Sequence, residues 1–248
     1  MISIITPAFN ASKTIFDTYQ SILGQSYEDW EWIVVDDFST DNTSEIIGDI
    51  SKKDKRVILL KNKQNLGAAH SRNAGISAAK GRYIAFIDSD DLWLSEKLSK
   101  QIDFMVTNNF SFTFSNYFIL SKNNKQKEHR VKKDYLTYKD LLKRNAIGCS
   151  TVIYDTEVLG KQFMPVDSPK REDHAAWLDI LKLSKKAYRI DQFLTIYRIG
   201  NRTVSSNKIK MIKYQYLMYR NHEGFSFLKS LWYTFIVSLN KVFRVKDY

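Results

Sequence analysis

Tyr83-Ile84-Ala85-Phe86-Ile87-Asp88-Ser89-Asp90-Asp91 carries the strongest structural signal in this chain of 248 residues. A strongly apolar run with the length of a buried strand ends abruptly in three carboxylates within four residues. Side by side at a strand end, three such groups repel one another unless a cation neutralises them. Ligands that are all oxygen select a hard ion, Mg2+ or Mn2+, and such an ion usually shares its coordination with substrate phosphates. Metal-diphosphate binding is therefore the first functional expectation.

Upstream of this strand the chain alternates β-branched runs with helical patterns. Strands are expected at Ile2 to Thr6, Trp32 to Val35, Val57 to Leu60 and Tyr83 to Ile87, with helices at Ala11 to Gly24, Thr43 to Ser51 and Ala69 to Ala79 between them. Asn10 is the expected cap of the first helix, and Ser39 or Asp41 of the second. That rhythm is the signature of βαβ units on a parallel sheet, where ligands gather beyond the carboxyl ends of the strands. Those ends read Thr6-Pro7-Ala8-Phe9-Asn10, Asp36-Asp37-Phe38-Ser39-Thr40-Asp41 and Asp88-Ser89-Asp90-Asp91, so two carboxylate clusters face one crevice. For Asp36-Asp37 alone, helix capping is an equally good account.

After Asp91 the pattern becomes α+β. A helix is expected over Ser95 to Thr107, a strand over Phe110 to Leu120, a mobile polar loop over Ser121 to Asp134, and a short helix over Tyr138 to Arg144. A strand around Ser150 to Tyr154, a helix over Arg171 to Lys185 and two short strands near Tyr188 and Thr195 complete this half. The formal charge of +11 favours anionic partners without choosing among them. One cysteine, Cys149, excludes an intrachain disulfide, fits a reducing compartment and reads as inert packing. No signal peptide or spanning segment is indicated, and a cytoplasmic protein is expected.

The four pieces taken in order, Ile5-Thr6-Pro7-Ala8-Phe9-Asn10, Val34-Val35-Asp36-Asp37-Phe38-Ser39-Thr40-Asp41, Asn65-Leu66-Gly67-Ala68-Ala69-His70-Ser71-Arg72-Asn73-Ala74-Gly75 and Phe86-Ile87-Asp88-Ser89-Asp90-Asp91, resemble the family 2 glycosyltransferases. The resemblance covers residues 1 to about 110 and thins beyond. It implies an α/β GT-A fold, a Rossmann-like nucleotide-diphospho-sugar transferase with a central, mostly parallel sheet, here followed by a C-terminal helical extension. The catalytic domain is expected over 1–206, with a nucleotide-sugar half (1–110) and an acceptor half (111–206), and the extension over 207–248. Carried over, the resemblance implies that Pro7, Phe9 and Asp36 or Asp37 line a uridine pocket, and that Asp88 and Asp90 hold Mn2+ or Mg2+. Ser89 joins the nucleotide site. Arg72 or Asn73 would bind the sugar or diphosphate, although a helix-surface pair is an open alternative. Gly67 and Gly75 are expected to serve tight packing.

A second acidic motif, Arg171-Glu172-Asp173-His174-Ala175-Ala176-Trp177, reads by itself as an ordinary helix start answering the macrodipole. The resemblance instead assigns Asp173 as general base for an inverting transfer to an acceptor hydroxyl, with Asp91, Glu172 and Trp177 toward the acceptor. Trp177 has the core as its other reading, and His174 is expected to be structural. Many relatives carry a histidine after Tyr197-Arg198 as a further metal ligand. Ile199 to Ser206 contain none here, which leaves water or Arg202 to complete the site. The partners implied are a UDP-sugar donor and a polyprenyl-diphosphate-linked saccharide acceptor, in O-antigen or capsule synthesis.

Beyond Asn207 basic and aromatic residues interleave, and Phe227, Leu228, Leu231, Trp232, Phe235, Ile236, Leu239 and Phe243 recur at helical spacing. This stripe either packs on the catalytic domain or rests on the inner-membrane surface from the cytoplasmic side. A nucleotidyltransferase would show a glycine-rich phosphate loop after the first strand. A dehydrogenase would show G-x-G-x-x-G, and carboxylates at the strand ends would repel nucleic acid.

Overall fold

In a computed structural model, which describes residues 1–121, 123, 125–199 and 208–242 and the side chains of 210–240 within the last stretch, the first half follows the expected alternation. It runs β1 (Ile2–Ala8), α1 (Ile15–Leu23), β2 (Trp30–Asp36), α2 (Thr43–Lys53), β3 (Val57–Lys61), α3 (Ala68–Ala78) and β4 (Tyr83–Phe86). β1 lies between β2 and β4 and β2 pairs with β3, every pairing parallel. Because side chains alternate along a strand, Ile4, Trp32, Val34 and Ala85 go to one face of the sheet, and Ile5, Ile33, Val35 and Phe86 go to the other. Both faces are therefore covered, as a parallel sheet requires. α3 approaches β1 so closely that a Cβ on Gly75 would stand 2.6 Å from Ile5 Cγ2. Gly67 differs: nothing crowds it, and its φ of +89° is what a side chain would not tolerate.

The second half adds β5 (Leu92–Trp93), α4 (Lys97–Asn108), β6 (Phe112–Leu120), β7 (Gln126–His129), β8 (Tyr135–Thr137), α5 (Tyr138–Leu141), a 3-10 turn (Cys149–Thr151), β9 (Val152–Asp155), α6 (Thr156–Leu159), α7 (Glu172–Ser184) and β10 (Lys186–Arg198). The helices α8 (Lys208–Leu217) and α9 (Phe227–Val242) follow. The sheet order is β3-β2-β1-β4-β9-β6-β10-β5, with β7 on β6 and β8 on β10.

Three expectations need correction. The polar run after Leu120 is not all loop: β7 pairs antiparallel with β6, and the rings of Tyr117 and His129 stack across it at 4.4 Å. The strands expected near Tyr188 and Thr195 are one strand, β10, whose register against β6 shifts between Ile190 and Thr195 and so breaks the alternation that marks a strand in sequence. Asn10 does not cap α1. Its φ is +51°, and its side-chain oxygen accepts the Thr40 N–H at 2.9 Å, tying the β1 loop to the β2 loop.

The C-terminal helices join the same core, with Met218 and Tyr219 fully buried and the Tyr219 hydroxyl donating to the Leu142 carbonyl at 2.6 Å. α9 packs inward through Tyr233 and Val237, with Ser230 and Thr234 also buried and their hydroxyls bonded back to Ser226 and Ser230 carbonyls. The apolar stripe faces the other way: Phe227, Leu228, Leu231, Trp232 and Phe235 are 59, 76, 44, 61 and 55% exposed. No helix among the described residues is long and apolar enough to cross a membrane.

Candidate functional site

The carboxylate turn after β4 is held by its backbone, which leaves part of its acid groups free for other work. The Ser89 carbonyl accepts the hydroxyls of Thr14 (2.9 Å) and Thr18 (3.2 Å) at the start of α1. Arg198 at the end of β10 donates from Nε to the Asp90 carbonyl and from Nη1 to Asp17 at 2.9 Å. Asp91 is the internal brace. It is fully buried, accepting from Ser150 Oγ and from the Arg198 backbone N–H at 3.1 Å. Burial and then the neighbouring Asp88 and Asp90 push its carboxyl well above the usual range.

Asp88 accepts Arg72 Nη2 on Oδ1 at 2.6 Å, and its Oδ2 has no hydrogen-bond partner among the described residues. The Asp90 carboxylate accepts from no other residue among those described, and burial together with Asp88 raises its pKa. A pair of adjacent, half-buried carboxylates with unclaimed oxygens fits a hard divalent ion, and no softer donor enters the set. Elsewhere Asp179, His222 and Glu223 also converge. There the Lys182 ammonium already bridges Asp179 (2.8 Å) and Glu223 (3.0 Å), so the negative charge is answered.

On the nucleotide side, Pro7 is the penultimate residue of β1, and Phe9 just beyond it and Phe38 in the loop after β2 are 50% and 53% exposed. The adjacent aspartates separate in role. Asp37 is consumed by the next loop, accepting Asn62 Nδ2 (2.7 Å) and the backbone N–H groups of Leu66 (2.9 Å) and Gly67 (2.7 Å). Burial opposes its charge, yet these donors together hold its pKa below the ordinary carboxylate value. The Asp36 carboxylate accepts the Ser39 N–H on Oδ1 at 3.1 Å and no other donor among the described residues, and so keeps an oxygen for a ligand. Asn73 is likewise spent, because its amide donates to the Met164 carbonyl (2.9 Å) and accepts the Met164 N–H (2.7 Å). Of each expected pair, Asp36 or Asp37 and Arg72 or Asn73, one member is thus engaged with a neighbouring loop.

The second acidic motif comes to the same cleft on the first turn of α7. Asp173 accepts its neighbour's N–H on Oδ1 (2.7 Å) and Asn145 Nδ2 on Oδ2 (3.2 Å). Glu172 turns to Arg72, with Oε1 3.7 Å from Nη1, and burial raises its pKa. Arg72, 6% exposed, thus links the two acidic motifs from within. Trp177 does not reach the cleft: it is fully buried, with its ring against Phe86 (5.7 Å) and Phe112 (5.8 Å), which corrects its placement at the acceptor. His174 is structural, sharing hydrogens with the Leu141 carbonyl (2.8 Å) and Gln215 (3.2 Å), and burial lowers its pKa. Arg202 lies outside the described residues.

Asp88 and Asp173 line one cleft of about 310 Å³, together with Asn145, Cys149, Tyr117 and Tyr197. Burial, then Asp91 and Asp88, push the Tyr197 hydroxyl up to about 12, and burial raises the Cys149 thiol, so both stay neutral. Asn145 and Tyr117 escaped the sequence reading. One lies in a loop and the other alternates with core residues along β6, so neither carries a periodic signal.

Comparison with known proteins agrees with this geometry. Residues 3–159 match the model of "Glycosyl transferase family 2". A putative teichuronic acid biosynthesis glycosyltransferase of Bacillus subtilis is 40% identical over 94% of this chain and 92% of its own length. The UDP-Glc:alpha-D-GlcNAc-diphosphoundecaprenol beta-1,3-glucosyltransferase WfgD of Escherichia coli is 41% identical over 87% of this chain and 84% of its own. In fold, the chain is similar to a mannosyltransferase of Pyrobaculum calidifontis solved with GDP-Man and Mn2+, with a TM-score of 0.70 and 16% identity over 94% of this chain and 69% of that one. A GT-A sheet, a carboxylate turn and matches of this extent lead to one conclusion: the chain belongs to glycosyl transferase family 2 and is a glycosyltransferase.

Proposed function

We propose that this enzyme transfers a hexose, glucose in the first instance, from UDP to a saccharide carried on a polyprenyl diphosphate, with inversion at the anomeric carbon. The observation that carries the reading is the cleft itself, with Asp88 and Asp173 on opposing elements of one sugar-sized space. Asp36, Pro7 and Phe9 receive the uridine, the aromatic edge packing on uracil while the free Asp36 oxygen accepts its imide hydrogen. Asp88 and Asp90 hold Mn2+ or Mg2+, and Arg72 fixes Asp88 for that task. The ion supplies charge neutralisation for the departing diphosphate. Asp173 takes the proton of the attacking hydroxyl, and a single displacement inverts the centre.

The choice of UDP-glucose and a lipid-linked GlcNAc rests on the activity for which the E. coli relative is named. Purified enzyme with Mn2+ and a panel of UDP-sugars, given a synthetic lipid-diphosphate-GlcNAc, is expected to release UDP fastest with UDP-glucose and to yield a β-linked product by NMR. An α-linked product would overturn the single displacement.

The outward apolar face of α9 supports a membrane surface as the place of the reaction. Five large apolar side chains exposed on the surface, flanked by Lys213, Arg220 and Lys229, suit a peripheral contact with anionic lipid on the cytoplasmic face. Leu231→Glu with Trp232→Glu is expected to cut sedimentation with phosphatidylglycerol vesicles about tenfold or more and to leave turnover of a water-soluble acceptor unchanged. Undiminished sedimentation would refute the contact.

A further inference from the structure

We propose that Asn145 is the residue that couples acceptor recognition to the catalytic base. It lies in the loop between α5 and the 3-10 turn, in a segment to which no role has been given. Its Nδ2 donates to Asp173 Oδ2 at 3.2 Å. Its Oδ1 is buried and has no hydrogen-bond partner among the described residues, although the side chain lines the cleft. The orientation of the amide is fixed by its neighbour, since the flipped form would set two acceptor oxygens against each other. An orphaned buried acceptor is costly, and native proteins retain few of them. A sugar hydroxyl that enters the cleft, with the small shift of the Asn145 loop needed to uncover Oδ1, relieves that cost by donating to it. The same amide then holds Asp173 in the rotamer that faces the attacking hydroxyl. Acceptor binding and base placement are in this way set by one planar group, and the ligand class is a pyranose with a free hydroxyl beside the attacked one.

The inference rests on Asp173 being the base, so Asp173→Asn runs in the same series. Against UDP-glucose and lipid-diphosphate-GlcNAc, Asn145→Ala is expected to raise the acceptor KM about tenfold and lower kcat about 5- to 150-fold, the range for one unsatisfied buried hydrogen bond. Donor KM is expected to stay within about twofold, since no donor-side contact is removed. Asn145→Ser, which keeps a small polar group, guards against a folding artefact and is expected to fall between Asn145→Ala and the parent. Among monodeoxy acceptors, one position is expected to cost the parent enzyme about tenfold and Asn145→Ala nothing further, a non-additivity diagnostic of direct contact. Losses that add at every hydroxyl, or a rise in donor KM with acceptor KM unchanged, would overturn the assignment. If Asp173→Asn is inactive while Asn145→Ala matches the parent, this inference alone falls. If Asp173→Asn keeps full turnover, the base assignment falls and takes this one with it.

Discussion

Asp173→Asn is expected to lower kcat by about 10²- to 10⁴-fold, the contribution of a positioned general base, with donor KM and Mn2+-dependent UDP binding nearly unchanged. The carboxylate lies at the N-terminus of α7, where its Oδ1 accepts the His174 N–H and its Oδ2 accepts Asn145 Nδ2. An asparagine in the same place keeps an oxygen for the backbone donor. What it loses is the ability to take a proton, and in a single displacement no other group named in the cleft replaces it. Cys149 and Tyr197 are held neutral, and Glu172 is turned toward Arg72. The fold should barely notice, because removing one negative charge from a helix N-terminus costs only about 0.3–1 kcal/mol. Steady-state kinetics with a saturating acceptor, beside a thermal melt, measure both quantities. A kcat within tenfold of the parent at unchanged Tm would move the base elsewhere.

The residues that sequence made legible are those whose chemistry is local. A run of apolar residues closed by Asp88-Ser89-Asp90-Asp91 is unusual wherever it sits, so strand, turn and site could be read together. Asp36 and Asp37 show the limit. Both are acids at a strand end, but which one keeps a free oxygen depends on Asn62, Leu66 and Gly67, a loop 25 to 30 residues further along. The surroundings of Trp177 and Asn73 are hidden for the same reason: their partners, Phe112 and Met164, are 65 and 91 positions away. The α9 stripe was visible as a period, while the face it turns to solvent was not. That orientation is set by Tyr233 and Val237 entering the core beside Tyr219, a tertiary choice that no helical wheel contains.

Asp90→Asn and Asp88→Asn should both abolish metal-dependent turnover, yet they should part in stability. Each removes one ligand oxygen set, and the loss of Mn2+-supported UDP-sugar affinity should reach about 100-fold or more, beyond the 10- to 100-fold typical of outer-shell partners. The Asp90 carboxylate accepts no hydrogen bond from another described residue, and burial and then Asp88 raise its pKa against the weaker opposing pull of Arg198, so its ionised form destabilises the metal-free protein. Neutralising it removes a repulsion, and the metal-free Tm is expected to rise by about 2–4 °C per kcal/mol relieved in a chain of this size. Asp88 is different, because Arg72 Nη2 rests on it at 2.6 Å and the guanidinium is buried. Its replacement strands that cation with Glu172 alone at 3.7 Å. Breaking a fully buried pair costs about 3–5 kcal/mol, and the 30% exposure of Asp88 reduces this toward the lower end or below. Calorimetric titration of UDP and Mn2+ with melts of the metal-free variants separates the cases. A lower Tm for Asp90→Asn than for Asp88→Asn would mean that the burden of charge in this turn has been assigned to the wrong carboxylate.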